Sequence, residues 1–139
     1  ELKEELARIQ NNLININRDF RSSSDIISAW ESYETGLQLQ REGKYKEAIS
    51  AFNKAIAHNP KYMHFFQRGR AYKALKQYRN AINDFSTVIN LNPNIRNAYF
   101  YRGIAYRNIG KKNKGLGDIR KAAELGSGDA RRWLKLKGK

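Results

Sequence analysis

The sequence contains no cysteine and very little proline or histidine, with 2 Pro and 2 His in 139 residues. The absence of Cys excludes a disulfide scaffold, a Cys-ligated zinc or iron–sulfur site, and thiol catalysis. His58 and His64 stand without nearby carboxylates, so no metal site is predicted. Long apolar runs are also absent, which excludes a segment able to span a bilayer.

Residues that could perform catalysis do not come together in any recognisable pattern. The serines of Arg21-Ser-Ser-Ser-Asp25 have no candidate base within reach in the sequence. Gly115 and Gly117 lie inside a helical pattern, without the preceding strand and surrounding glycines of a phosphate-binding loop. We therefore expect a protein that is not an enzyme and that has no catalytic residues, cofactor or metal.

Acidic side chains are scarce in the second part of the chain. Residues 1–50 carry 7 basic and 9 acidic side chains, a net charge of −2, whereas residues 51–139 carry 20 basic and 4 acidic ones, a net charge of +16. A charge asymmetry of this size favours a partner of acidic character.

The overall composition is that of a single globular domain, with 40% apolar and 29% charged residues. It does not identify the compartment, although the cytoplasm is slightly favoured. The chain begins at Glu1 and not at Met, so we interpret it as a piece from which a targeting signal could be missing.

Three glycines, Gly36, Gly69 and Gly103, mark an internal repeat, because they are spaced 33 and 34 residues apart. Three kinds of residue follow these glycines at fixed distances. Small residues let the helices approach, bulky residues fill the space between them, and prolines end a helix in the first two units. Twelve residues on stand Ala48, Ala81 and Gly115; sixteen on, Phe52, Phe85 and Ile119; twenty-four on, Pro60, Pro93 and Ser127.

Each unit is predicted to be a helix–turn–helix, with turns near Gly43, Lys76 and Gly110. The segments TGLQL…YKEAISAF…AIAHNP, RGRAY…YRNAINDF…VINLNP and RGIAY…KGLGDI…AAEL resemble the tetratricopeptide repeat family over about residues 29–127. The resemblance implies an all-α solenoid of three antiparallel helix pairs in a right-handed superhelix, with repeats at about 29–61, 62–95 and 96–127.

The third unit departs from the pattern, since Gly115 replaces Ala and Ser127 replaces Pro, and Gly117 adds a second mid-helix glycine. We expect its second helix to be the weakest, because a mid-helix Gly costs about 1 kcal/mol relative to Ala. Residues 129–137 are predicted to form a capping helix with Asp129 as N-cap and Trp133 as an anchor to the core; a ligand-stacking role for Trp133 is the alternative.

Residues 1–20 are predicted to form a separate amphipathic helix, joined through the linker 21–25 to a repeat domain spanning 21–139. This helix carries an apolar stripe with 4-3-4-3-4 spacing. We expect it to fold back over the first repeat, while self-association into a homo-oligomer through the stripe is the alternative. The stripe residues are Leu2, Leu6, Ile9, Leu13, Ile16 and Phe20.

Two ion pairs are predicted between the helices of a unit. Arg68 is followed sixteen residues later by Asp84, and Arg102 is followed sixteen later by Asp118. The first unit has Thr35 at the arginine position and no acid, so the charges occur together and vanish together. Such pairs are structural and should not contact a ligand.

In tetratricopeptide arrays the first helices line a concave groove, and the resemblance places an aromatic row beside a basic row there. The alternative is that the aromatic side chains only pack between repeats. The predicted groove residues are Trp30, Tyr33, Leu37 and Gln40 in the first unit, Met63, Phe66, Arg70 and Lys73 in the second, and Asn97, Phe100, Ile104 and Arg107 in the third.

These features predict an interaction module or adaptor that holds an extended or helical, acidic peptide segment in the groove. The family's carboxylate clamp is not expected, because its positions hold other residues here, namely Tyr33, Leu37, Gln67, Asn97 and Tyr101. Alternatives are a self-assembling structural unit, or binding of nucleic acid or acidic lipid through the basic C-terminal half, although no nucleic-acid motif is present. That surface would comprise Lys111, Lys112, Lys114, Arg120, Lys121, Arg131, Arg132, Lys135, Lys137 and Lys139.

Overall fold

The computed structural model describes residues 1–137, and over these residues every secondary-structure element is a helix. Lys139 of the basic C-terminal surface lies outside the described residues. The helices are α1 Leu2–Arg41, α2 Tyr45–His58, α3 Tyr62–Ala74, α4 Tyr78–Leu91, α5 Arg96–Asn108, α6 Lys112–Glu124 and α7 Gly128–Lys137.

Helices that follow one another in the chain pack against one another in the same order. The C-terminal part of α1 pairs with α2, α3 with α4, and α5 with α6, so the expected all-α repeat solenoid is confirmed. The turns within the units lie where they were predicted. Gly43, Lys76 and Gly110 each adopt a positive φ, of 76°, 59° and 85°, and Lys76 is the only one of the three that carries a side chain into this region.

The repeat glycines allow the two helices of a unit to approach each other closely. A Cβ atom on Gly36 would lie 2.5 Å from Cε1 of Phe52, and one on Gly69 would lie 2.9 Å from Cε1 of Phe85. Both phenylalanines are fully buried. The aromatic ring of one helix therefore fills the space that is left because the glycine of the other helix has no side chain.

In the third unit the smaller Ile119 takes the place of phenylalanine, and the two backbones approach each other instead. A Cβ on Gly103 would lie 2.8 Å from the carbonyl oxygen of Gly115, and a Cβ on Gly115 would lie 2.6 Å from the carbonyl oxygen of Gly103. Gly115 is thus explained by packing. Gly117 is not, because a Cβ there would meet nothing within 4 Å.

Both predicted ion pairs form. Arg68 donates from Nε and Nη2 to the carboxylate of Asp84 at 2.9 and 2.7 Å, and Arg102 donates in the same way to Asp118 at 2.7 and 2.8 Å. Asp84 is only 4% exposed. The pKa of Arg68 is raised, chiefly because it donates hydrogen bonds to Asp84. This bidentate ion pair therefore stabilises the charged guanidinium.

Each arginine also joins its own unit to the preceding one. The Nη1 atom of Arg68 donates to Oδ1 of Asn53 on α2 at 2.8 Å, and Nη1 of Arg102 donates to Oγ of Ser86 on α4 at 3.2 Å. Within residues 1–137, no helix pair lies before the first unit. Its equivalent residue, Thr35, is exposed and donates to the carbonyl oxygen of Glu31 within α1.

The predicted linker at 21–25 is wrong, because α1 runs without interruption from Leu2 to Arg41. Serine and aspartate favour helix caps, but the run Ser22–Asp25 does not end this helix, because apolar residues continue the helical pattern on both sides. The expected fold-back over the first repeat is also wrong. Every residue from 1 to 27 is exposed, and the apolar stripe is covered by nothing within residues 1–137.

The C-terminal capping helix starts earlier than predicted, and Asp129 is not its N-cap. Ser127 is buried, and its Oγ accepts a hydrogen bond from the backbone N–H of Ala130 at 3.1 Å. Ser127 therefore replaces the proline of the other units because it caps α7. Asp129 lies in the first turn of α7 and pairs with Arg132 at 3.4 Å.

The glycines of α6 give a first stability prediction. Gly117→Ala should stabilise the protein by up to about 1 kcal/mol, because it adds helix propensity in open space. Gly115→Ala should destabilise it by roughly 1–3 kcal/mol, because its Cβ would collide with the Gly103 carbonyl. Urea unfolding midpoints measure both effects, and equal effects of the two substitutions would contradict this account of the α5–α6 contact.

The ion pair of the second unit gives a second stability prediction. Arg68→Ala should destabilise by roughly 1–3 kcal/mol, because it leaves the buried Asp84 carboxylate without its partner. Adding Asp84→Ala should restore part of that stability. Lys73→Ala is the control and should cost little, because Lys73 has no ion-pair partner among residues 1–137. Additive losses in the double variant would show that the pair is not coupled.

Candidate functional site

A pocket of about 480 Å³ opens where the C-terminal ends of α1 and α3 meet Tyr101 of α5. It lies on the side formed by the first helices of the units, which is the predicted concave groove. Side chains from all three units converge on it, so the stacking of the units creates the pocket. Its lining residues are Leu37, Gln40, Arg41, Tyr45, Gln67, Arg70, Lys73, Ala74 and Tyr101.

Three cations line this basic pocket, and no acidic residue does. Within residues 1–137, Arg41, Arg70 and Lys73 form no ion pair. The Nζ atom of Lys73 lies 4.3 Å from the ring centroid of Tyr101, and Nη1 of Arg70 donates to Oε1 of Gln67 at 3.4 Å. Burial, together with the charge of Arg70, lowers the pKa of Lys73. The pocket is therefore an electropositive site without a counter-charge.

A second pocket, of about 340 Å³, lies at the opposite end of α3 and is largely apolar. Met63 and Phe66 come from α3 itself, whereas Asn97 begins the third unit and Leu125 follows α6. The two pockets share α3, and the centres of their lining residues on it are about two helical turns apart. The second helix pair therefore carries a basic site at one end and an apolar site at the other.

The groove residues predicted in the third unit are as accessible as those in the second, since Asn97 is exposed and Phe100, Ile104 and Arg107 are half-buried. Phe100 and Ile104 pack against the hydrophobic cluster that contains Ile119 and Ala130. The guanidinium of Arg107 lies 4.8 Å from the Trp133 ring centroid. Trp133 thus anchors α7 to the array, as expected of a capping helix, and Arg107 occupies the ring face that a ligand would need for stacking.

Two aromatic residues of the first unit behave differently from each other. Tyr33 is only 6% exposed and packs against Phe52 and His64, with ring centroids 6.1 and 5.0 Å away, so it belongs to the core. Trp30 is 55% exposed and lies 5.8 Å from Tyr33. Tyr33 therefore packs between repeats, which was the alternative to a role in the groove. The ring of Trp30 remains exposed.

Sequence reasoning missed five contributors to the basic pocket, namely Gln67, Tyr101, Arg41, Tyr45 and Ala74. Gln67 and Tyr101, which stand two residues before their repeat glycines, were named only as positions of the carboxylate clamp. Arg41 stands five residues after Gly36, and Tyr45 begins α2. A search for every helix position that borders the predicted face, and not only its central 3-4-3 spacing, would have found the first three.

His64 has a structural role at the turn between the first two units. It is 3% exposed, and its Nδ1 lies 2.8 Å from the carbonyl oxygen of Asn59. Because only a protonated Nδ1 can donate to this carbonyl, the neutral ring carries its proton there. Burial lowers the pKa of His64, and the nearby charge of Lys61 adds to that effect.

Comparison with known proteins agrees with this architecture. Two family models described as tetratricopeptide repeat match the chain, over residues 29–62 and 65–95. The chain belongs to the tetratricopeptide repeat family. The third helix pair, α5–α6, repeats the same arrangement of glycine, ion pair and bulky core residue.

Solved structures of repeat domains are similar over most of the chain. The second TPR domain of human RPAP3, in complex with the HSP70 peptide SGPTIEEVD, is 26% identical with a TM-score of 0.74, covering 85% of this chain and 98% of that one. The first TPR of Spaghetti (RPAP3), bound to the HSP90 peptide SRMEEVD, is 27% identical with a TM-score of 0.75, covering 79% and 90%.

Curated relatives are longer proteins. Hsc70-interacting protein 1 of Drosophila melanogaster is 33% identical over 116 residues, which is 82% of this chain and 31% of that protein. The small glutamine-rich tetratricopeptide repeat-containing protein of Dictyostelium discoideum is 40% identical over 63 residues, which is 45% of this chain and 19% of that protein. The chain thus spans from about a fifth to a third of these relatives. None of the helices within residues 1–137 has the length and apolar character that a membrane span requires.

The pH dependence of stability follows from His64. Its pKa in the folded protein lies below the ordinary value of 6.5, so protonation favours the unfolded chain. The stabilisation is fully present above pH 6.5 and is lost as the pH falls through the folded-state pKa. His64→Asn keeps a donor for Asn59 but cannot titrate, so its melting temperature should fall less between pH 7.5 and pH 5 than that of the parent. Parallel pH profiles for the two proteins would contradict this role.

Proposed function

We propose that the chain is a non-enzymatic interaction module that binds an acidic peptide segment in its groove. The observation that carries the proposal is the basic pocket, in which Arg41, Arg70 and Lys73 converge without a carboxylate among the lining residues. Elsewhere in the array, half-buried arginines are paired with aspartates, as Arg68 is with Asp84. Three unpaired cations in a concave site are typical of a surface that receives negative charge from a partner.

The pocket is also prepared for binding by its own packing. Lys73 is half-buried, and its pKa is already lowered before any ligand arrives. A carboxylate entering the site would remove the repulsion between Lys73 and Arg70 and gain charge-assisted hydrogen bonds. The rings of Tyr101 and Tyr45 supply apolar walls to the same pocket. Lys73 is already held by this packing, whereas the exposed Arg41 and Arg70 would be ordered by binding.

The apolar pocket at the other end of α3 defines the distance between the apolar and the acidic side chains of the ligand. Met63 and Phe66 are on average seven residues before Arg70 and Lys73, a separation of about 10 Å along the helix. An extended peptide covers that distance with about three residues. The favoured ligand therefore carries an apolar side chain about three residues away from a carboxylate side chain.

Peptides bound by similar domains support this chemistry. The first TPR of Spaghetti (RPAP3) is bound to SRMEEVD, and the second TPR domain of human RPAP3 to SGPTIEEVD. Both peptides combine two glutamates with an apolar residue just before them. In this chain the positions of the family's carboxylate clamp hold Tyr33, Leu37, Gln67, Asn97 and Tyr101. We therefore propose that the groove recognises side-chain carboxylates and not a free chain terminus.

The basic C-terminal surface is the alternative binding site. Its members from Lys111 to Lys137 are exposed. Some of them are partly engaged, because Arg132 pairs with Asp129 at 3.4 Å and Lys121 approaches Glu124 at 4.0 Å. An RNA or an anionic vesicle that bound there would depend on these residues and not on the groove.

The peptide SRMEEVD tests the proposal in three forms: free, C-terminally amidated, and with both glutamates changed to glutamine. Amidation should leave the dissociation constant within about twofold, whereas the loss of both charge-assisted contacts should weaken binding roughly tenfold or more. Binding should also weaken with salt, because exposed charges are screened over about 10 Å at 0.1 M. Isothermal titration calorimetry or fluorescence anisotropy measures all of these.

Protein variants locate the site on the same peptide. Lys73→Ala, Arg70→Ala and Phe66→Ala should each weaken binding, whereas the charge reversals Lys135→Glu and Lys137→Glu should have little effect. A carboxylate clamp would instead show a large loss on amidation. If a generic RNA binds more tightly than the peptide and only the Lys135 and Lys137 variants lose affinity, the groove is not the functional site.

A further inference from the structure

The uninterrupted α1 extends the apolar stripe well beyond the segment recognised in the sequence. Starting from Leu2, the alternating spacing of four and three residues continues past Phe20 through Ser23 to Ile27 and Trp30. Eight of these nine positions are large and apolar, and Ser23 is the exception. The N-terminal stripe, as we call it here, comprises Leu2, Leu6, Ile9, Leu13, Ile16, Phe20, Ile27 and Trp30.

This spacing is the heptad pattern of a coiled coil, sustained over four heptads. Leu6, Leu13, Phe20 and Ile27 fall at position a, while Leu2, Ile9, Ile16 and Trp30 fall at position d. A single helix on the surface of a globular core repeats every 3.6 residues, whereas a strict 3.5-residue repeat is typical of two helices that wind around each other. The pattern thus points to another helix as the occupant.

All eight side chains of the stripe are available for such contact. Their exposed fractions range from 46% at Ile9 to 81% at Leu2, and no helix within residues 1–137 covers them. If each of the seven apolar residues from Leu2 to Ile27 contributes roughly 60 Å², two copies together bury about 800 Å², which is the size of a weak, transient interface. The area is sufficient for a reversible association of two such helices.

The charge distribution indicates that the occupant is a second copy of this chain in antiparallel orientation. Residues 1–30 hold four basic and five acidic side chains, so the helix is nearly neutral, whereas the remaining residues carry a net charge of +15. A parallel pair would place two strongly basic arrays side by side. An antiparallel pair separates them by most of the helix length, about 40 Å, well beyond the screening distance.

The residues beside the stripe permit this arrangement. Gln10, Asn12 and Asn17 flank its centre with uncharged side chains, so no like charges oppose each other there. When Leu2 of one copy faces Ile27 of the other, Ile9 faces Phe20 and Leu13 faces Ile16. We propose that α1 forms an antiparallel two-helix coiled coil with α1 of a second copy, through the N-terminal stripe.

Two isoleucines provide a matched test in the full chain. Ile16, 61% exposed, belongs to the stripe, whereas Ile14, 57% exposed, lies beside it. Sedimentation equilibrium of the parent should show a concentration-dependent dimer at up to about 100 μM. Ile16→Asn should raise the dimer dissociation constant at least tenfold, and Ile14→Asn should change it little. The cooperative melting of the repeat array should persist in both variants, which separates lost association from misfolding.

Orientation is measured separately, using the absence of native cysteine. A spin label on Lys3→Cys should give an intermolecular distance of about 35 Å in the antiparallel pair, whereas a parallel pair would bring the labels to within about 10–20 Å. The short distance would overturn the antiparallel arrangement. A chain that stays monomeric over the whole concentration range, a trimer or tetramer, or equal effects of the two asparagine variants would overturn the proposal itself.

Discussion

The rest of the structure depends on the contact between the two helices of each unit at the repeat glycine. Gly36 and Gly69 leave room for the rings of Phe52 and Phe85, and Gly103 leaves room for the backbone of α6. This close approach fixes which faces of the first helices remain free, because the glycine side of each helix is entirely used by its partner. The basic pocket begins beside this contact, because its lining residues Leu37 and Arg70 each follow a repeat glycine by one residue, about 100° around the helix. Its shape follows from how closely the helices are drawn together.

Charge is used in two different ways along this scaffold. Arg68 and Arg102 each satisfy an aspartate of their own unit and reach a polar side chain of the preceding one, so their charges hold neighbouring units in register. Arg70 and Lys73 are close to Arg68 in sequence but face the groove, where no acid meets them. Burial, followed by the charge of Arg70, lowers the pKa of Lys73, so the folded protein disfavours the charged form of this side chain. Binding surfaces commonly hold like charges close together, because the stability that the folded protein loses there is regained when a partner binds.

Much of this arrangement could be predicted from the sequence, and the failures have physical causes. Glycine spacing, turn positions and the arginine–aspartate pairs are determined by contacts within one repeated unit, and three copies of the unit made them recognisable. The helix break at residues 21–25 was wrong because cap propensity was given more weight than the apolar spacing that continues to Trp30. The N-cap at Ser127 was missed because Asp129 is the better cap by residue type, and only tertiary burial selects the serine. Pocket residues such as Arg41 and Tyr101 belong to different units, so repeat spacing alone could not bring them together.

The charge asymmetry of the sequence separates two parts of the structure. The nearly neutral part of the chain is the projecting half of α1, and the strongly basic part is the array that contains the groove. Mutual repulsion between arrays opposes self-association through the groove side, and the neutral helix is the region where two copies approach at the lowest electrostatic cost. Association through α1 would leave both basic pockets open. A chain with this distribution can therefore present two grooves at opposite ends of one assembly, so that a partner with two acidic segments would be held more tightly than either segment alone.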